Sequence, residues 1–192
     1  MAAQKKYPDR LTISTPRGTL KFPKLNDVDY GSDKYPDKDG SWNTRYVADK
    51  SDPKVAAFLA KVDVALERSK ELAEAAVAEL PVKARKELEA KGGLRQAAPY
   101  APVYDEDTEE ETGQIDMKVK HRYSGKYSKG VKQGQTWTSD GPGMFDARGK
   151  KLPRSIKIWG GTVAILNIDL DPYFIPATGE YGLSRRLNAV QV

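Results

Sequence analysis

Residues 115–123, Ile-Asp-Met-Lys-Val-Lys-His-Arg-Tyr, alternate without a break. Ile115, Met117, Val119, His121 and Tyr123 form one series; Asp116, Lys118, Lys120 and Arg122 form the other. A period of two predicts a strand with one face on a core, because helical spacing would scatter the apolar residues around a cylinder. The chain must therefore build a sheet, and the outer face of this strand carries three cations in a row.

The rest of the chain supplies partners for that strand. Residues 11–25 are two short extended runs around Pro16-Arg17-Gly18, a turn joining strands. Residues 26–41, rich in Asp, Gly and Lys, read as loop, and 42–48 alternate again. One long helix is predicted over 53–80. Asp52 stands at its N-cap, Pro53 at the first helical position, where a missing N–H costs nothing, and Phe58, Leu59, Val62, Leu66, Ala73, Ala76, Val77 and Leu80 form a stripe. Pro81 ends or kinks it, and a shorter segment can extend the helix to residue 91, before Gly92-Gly93. Residues 94–114 form a connection. Residues 124–144 form a basic, Gly-rich loop, and a turn is expected at Arg148-Gly149. Strands are expected at 157–159, 162–170 and 183–192, with turns around Pro172 and Pro176–Gly179. The 192 residues suffice for one domain with a real core, and 1–192 is read as such. The fold expected is mainly β: a five-stranded Greek-key barrel with a long inserted α-helix. The alternating run ends on Val-Gln-Val at Val192 with no turn or cap after it. This leads to the expectation that the natural chain continues; a short chain whose last strand closes the domain is the other reading.

Charge is clustered. The formal net charge is +5. Residues 1–25 hold six Lys/Arg against one acid and 112–160 hold eleven against three, whereas 105–111 hold six acids and no base. Such a basic surface suits a polyanion, nucleic acid first. The chain has no cysteine and one histidine, which excludes disulfides and the common Cys/His zinc sites. No metal site or cofactor is expected: the acidic run lacks the EF-hand glycine and spacing, and reads as a solvated loop. No P-loop, dinucleotide fingerprint or G-x-S-x-G elbow is present, so no enzyme is expected. No apolar run approaches a membrane span and no signal peptide opens the chain.

Single-stranded nucleic acid needs cations for phosphates and aromatic faces on which bases stack. Lys118, Lys120 and Arg122 supply the first on one strand, and Arg185 and Arg186 on another. Tyr127 and Trp137 in the basic loop and Tyr173 and Phe174 in Asp-Pro-Tyr-Phe supply the second. Each has a blander reading. Cations are common on solvent faces, and Tyr173 and Phe174 could plug one end of a core, Phe174 being the better plug and Tyr173 the better stacker. Trp159 is expected in the core and Trp42 is undecided. His121, sharing the apolar series, is expected to be a satisfied or half-buried side chain.

The order of segments resembles the single-stranded DNA-binding proteins of short-tailed, T-seven-like bacteriophages. The resemblance runs from Asp29-Tyr30-Gly31 through 49–54 (DKSDPK), 98–105 (APYAPVYD), 117–123 (MKVKHRY) and 145–153 (FDARGKKLP) to 158–192. It implies an OB-fold barrel with a long helix that binds single-stranded DNA independently of sequence during phage replication and recombination, and that promotes strand annealing. Lys118 and Lys120 match DNA-contacting lysines, Tyr173 a stacking tyrosine, and Lys5 and Lys6 match more loosely. Ile175 stands where the family pattern has an aromatic, with Phe174 as a substitute. Family members end in an acidic tail that docks the phage DNA polymerase and helicase–primase, and this chain has none. A homodimer is left open, and the host cell cytoplasm is the expected location. The alternative is a phage structural or protein-interaction module whose basic face meets an acidic partner.

Overall fold

A computed structural model describes residues 9–192. In chain order they form β1 (Leu11–Ser14), β2 (Gly18–Ser32), β3 (Tyr35–Asp49), α1 (Pro53–Glu79), α2 (Val82–Ala90), β4 (Arg95–Gln96), β5 (Ala101–Tyr104), β6 (Glu111–Arg122), β7 (Ser124–Lys126), β8 (Thr136–Thr138), β9 (Gly143–Phe145), β10 (Val163–Ile175) and β11 (Glu180–Gln191).

Five of these strands close on one another. β2 pairs antiparallel with β3, β3 with β6, and β10 with both β2 and β11. A parallel pairing of β6 with β11, Lys120 opposite Arg186, completes the ring. β1 continues the line of β2 along β10, with Leu11 opposite Leu170 and Ser14 opposite Asn167. The two predicted runs around Pro16-Arg17-Gly18 thus act as one interrupted strand. Gly18 is needed there for space: a Cβ would run into the Tyr46 ring and the Val47 carbonyl.

The inward residues obey the period-two pattern. Ile115, Met117 and Val119 are fully buried with Leu20, Tyr46, Leu166, Ile168, Leu170 and Leu187. Tyr46 donates its hydroxyl to the Pro16 carbonyl at 3.2 Å, and burial pushes its pKa up to about 12. Its ring meets Phe58 edge-on, which joins the barrel to α1.

α1 starts as its sequence requires, with the Asp52 carboxylate accepting the Lys54 N–H at 2.8 Å. Val55, Phe58, Leu59, Val62, Leu66 and Ala73 are buried along one stripe, and the helix lies on β10 and β11. The Ser69 hydroxyl donates to the Gly182 carbonyl at 2.8 Å. Leu80, ahead of Pro81, is extended and ends the helix. α2 then runs to Ala90, and Gly92 and Gly93, both at positive φ, return N–H groups to Glu89 and Leu88.

Several local expectations differ from the structure. Residues 26–41, expected as loop, are the outer arms of the β2–β3 hairpin. Much of this part meets solvent, so no apolar alternation marks it, and the ladder is irregular between Lys24 and Gly31. Residues 157–159, expected as a strand, pair with none. The Ile158 N–H goes instead to the Asn26 side chain at 3.0 Å. Trp159, expected in the core, is 68% exposed: it stands in the turn that leads into β10, beside the edge of β2. Trp42 is the buried tryptophan. Pro172, expected in a turn, lies within β10 opposite Leu183. β1 has left β10 by then, so the strand has an edge on that side where a residue without an N–H is tolerated. Residues 124–144 are not one loop: β7 and β8 pair as a separate ribbon, and β9 adds to β11 in parallel.

Candidate nucleic-acid interface

With Ile115, Met117 and Val119 inside, Lys118, Lys120 and Arg122 point outward from β6. The register places other cations beside them. Lys21 on β2, Arg45 on β3 and Lys118 on β6 are neighbours in one row. Lys24, Asn43, Lys120 and Arg186 form a second row, across β2, β3, β6 and β11.

Two acids partly balance this face. The Arg45 guanidinium donates to Asp116 at 2.8 Å, and the Lys120 ammonium lies 2.6 Å from Asp37. The Lys120 hydrogen bond holds the Asp37 carboxyl below its ordinary pKa. Lys21, Lys24, Lys118, Arg122 and Arg186 form no ion pair among the described residues.

Phe22, between the two rows on β2, was missed in the sequence. Its φ is 49° and it is 74% exposed. Left-handed φ is unusual for a bulky residue and is further disfavoured before a proline, here Pro23. The cause is a bulge: Phe22 and Pro23 together oppose Thr44 alone, so that Lys21 and Lys24, three residues apart, both return to the outer face. Thr44, fully buried, donates its hydroxyl to the Lys21 carbonyl at 3.3 Å. The phrase Lys-Phe-Pro-Lys was the available signal, since an aromatic before proline between two lysines has no place in an ordinary ladder. Trp159 is a second exposed aromatic, next to β2. Its segment runs along β2, with the Gly161 N–H on the Leu20 carbonyl and the Leu20 N–H on the Thr162 carbonyl, both at 2.9 Å. The Lys157 ammonium lies 5.9 Å from its ring centroid.

The other predicted residues are placed apart. Tyr173 pairs with Gly182, four residues along β11 from Arg186, about 13 Å at strand rise. Its hydroxyl donates to Glu180 at 2.7 Å, and burial, then Glu180, pushes its pKa up to about 12. Phe174 is half-buried beside it. Arg185 donates to the carbonyls of Ala98 and Pro99, at 3.2 and 2.7 Å, and burial draws its pKa below the ordinary value. It clamps the 97–100 segment onto β11, whereas Arg186 stays exposed. Trp137 is half-buried against Gly125, and Tyr127 is partly exposed with Lys132 over its ring. Lys5 and Lys6 lie outside the described residues.

The acidic run 105–111 is the tip of the β5–β6 hairpin, folded around the Asp105 carboxylate, which accepts the N–H groups of Asp107 and Thr108. Glu111, paired with Lys50 at 2.6 Å, stands seven residues from Lys118, about 23 Å along β6. The acids therefore occupy the end of the strand opposite to the cations.

Beneath the cation rows the barrel end is densely bonded. His121 is buried, with Nδ1 donating to the Leu187 carbonyl at 2.6 Å and Nε2 accepting from the Ser139 hydroxyl at 2.7 Å; burial lowers its pKa. Trp42 packs edge-on to His121 and Tyr123, and the Arg154 guanidinium lies 4.9 Å from its ring centroid. Arg154 donates to the carbonyls of Leu25, Asp140 and Pro142, and Gly141, at φ 87°, leaves room for it against Trp42.

The strand circuit β2–β3–β6–β11–β10–β2, with its one parallel pair, is that of an OB-fold, here with helices inserted between the second and third barrel strands. Solved structures that share it include two from bacteriophages. The crystal structure of gp2.5, a single-stranded DNA binding protein encoded by bacteriophage T7, superposes with a TM-score of 0.66 at 19% identity, covering 94% of this chain and 90% of that one. The single-stranded DNA-binding protein from bacteriophage Enc34 in complex with ssDNA superposes at 0.56 and 13% identity, covering 94% and 84%. No protein-family model and no curated protein sequence matches the chain.

Proposed function

We propose that this protein binds single-stranded DNA independently of sequence across the outer face of β2, β3, β6 and β11, as a non-catalytic phage protein of replication and recombination. The observation that carries the reading is the pair of cation rows with the strained, exposed Phe22 between them. Unpaired lysines neutralise phosphates, and an aromatic held out in solvent offers a face that any base can stack on. OB barrels commonly take oligonucleotides on the face of their second and third strands, here β3 and β6, and on the loops at its ends. Tyr173, near the turn after β10, is the second proposed stacker, and Trp159 the third. The likeness in fold to two phage single-stranded DNA-binding proteins supports the assignment of DNA as ligand. Annealing of complementary strands, docking of polymerase and helicase–primase, and work in the host cytoplasm belong to the same reading. For the described residues, no helix is long and apolar enough to cross a membrane.

The test is a titration of fluorescent oligo-dT at several salt concentrations. The logarithm of the affinity should fall linearly with that of salt, by about 0.7 per phosphate contacted. Lys118→Ala should lower that slope by roughly one contact's share, with thermal stability unchanged. Salt-independent binding, or none, refutes the reading.

A further inference from the structure

The β7–β8 ribbon stands apart from the barrel sheet, joined to β6 only through Tyr123. Its base is pinned: the Ser139 N–H donates to the Tyr123 carbonyl at 2.8 Å, and the Ser124 hydroxyl to the Asp39 carbonyl at 2.8 Å. Its far end is closed by backbone bonds between Tyr127 and Gln135 and between Gly134 and Tyr127, at 3.0 and 2.9 Å. Residues 124–139 contain Lys126, Lys129 and Lys132 and no acid. All three lysines are exposed and none forms an ion pair among the described residues. Val131, at the tip, is fully exposed.

The ribbon differs from the barrel face in what it offers a polyanion. Phe22 and Trp159 stand out into solvent on the barrel. The ribbon's rings are less open: Trp137 is half-buried across Gly125, and Tyr127 is 39% exposed against 74% for Phe22 and 68% for Trp159. Three exposed cations with less stacking surface than the barrel face suit phosphates whose bases are already paired, and a two-stranded ribbon has the width of a DNA major groove. It also continues from the end of β6 that carries Arg122, beyond the proposed single-strand path.

We propose that the β7–β8 ribbon is a second nucleic-acid site that holds duplex DNA, through Lys126, Lys129 and Lys132 on the backbone. This deepens the proposed function and rests on it: a protein that coats single strands would hold the paired product of annealing by a separate element.

The experiment compares the full chain with its K126A/K129A/K132A variant, by anisotropy on oligo-dT and on a blunt duplex of random sequence, and by the rate of annealing of complementary oligonucleotides. The expected result is duplex affinity at least tenfold weaker, with a salt slope smaller by about 2 to 3, slower annealing, and oligo-dT affinity within twofold of the parent. Equal losses on oligo-dT and duplex would make the ribbon part of the single-strand path and overturn the proposal. So would a parent that binds oligo-dT but no duplex, or a variant with unchanged duplex affinity. A parent that fails to bind oligo-dT refutes the single-strand reading instead, while the duplex arm still judges the ribbon. The lysines take no part in internal ion pairs, so the variant should fold, and an unchanged melting temperature verifies it.

Discussion

Replacing Phe22 separates binding from folding, because the structure gives the ring no packing role and gives the backbone a cost. The residue is 74% exposed at φ 49°. A non-glycine residue in the left-handed region costs about 1–2 kcal/mol, and its position before Pro23 does not lessen this. Phe22→Gly removes that strain while adding unfolded-chain entropy worth about 0.5–1 kcal/mol. The net effect on folding should be between zero and about 1.5 kcal/mol of stabilisation, read as an unchanged or raised urea midpoint. The same substitution removes a stacking surface worth about 1–3 kcal/mol per base, or roughly 5- to 150-fold in oligo-dT affinity. Phe22→Ala keeps the strain and loses the ring, and should bind as weakly as the glycine variant while being less stable than it. Anisotropy on oligo-dT and urea unfolding monitored by tryptophan fluorescence give both quantities on each protein. Unchanged oligo-dT affinity in two well-folded variants would refute the stacking role. A glycine variant destabilised by 2 kcal/mol or more would show that the ring packs after all.

Two further predictions concern residues read directly from the chain. Tyr173→Ala should weaken oligo-dT binding by about 1–3 kcal/mol while Tyr173→Phe, which loses only the bond to Glu180, keeps most of it; equal affinity in all three proteins removes Tyr173 from the path. His121 is buried with its pKa lowered, so the unfolded chain takes up its proton first, and stability should fall as pH drops below about 6.5 until the folded-state pKa is passed. Urea unfolding of the parent and of His121→Gln between pH 8 and 5 should show a shallower fall in the variant below pH 6.5; identical slopes would mean that the histidine does not titrate on unfolding.

The parts of this protein legible in its sequence are those with a local cause. Strict alternation in 115–123 predicts which side chains of β6 are buried, and Ile115, Met117 and Val119 are. Asp52, Pro53 and Pro81 bound the helix because capping and a missing N–H act within a few residues. The expected barrel is the one seen, since five strands with one apolar face each must close around a shared core.

The candidate site is less legible, because its chemistry arises between strands. Nothing local says that Arg45 stands beside Lys118, or Arg186 beside Lys120; registers set by the whole ladder do that. Trp42 and Trp159 are both plausible core residues by type. One is covered by Arg154 and His121, from distant segments, while the other sits on an outer turn. Residues 26–41 lack an apolar face, and only pairing makes them strand. The sequence by itself determined the inside and outside of β6, the limits of the helix and the excess of cations. Tertiary structure alone decided which cations share a face and that Phe22 is forced out between them, because a bulge is defined by the strand opposite it: Lys-Phe-Pro-Lys marks a break in the ladder but not where the ring will stand.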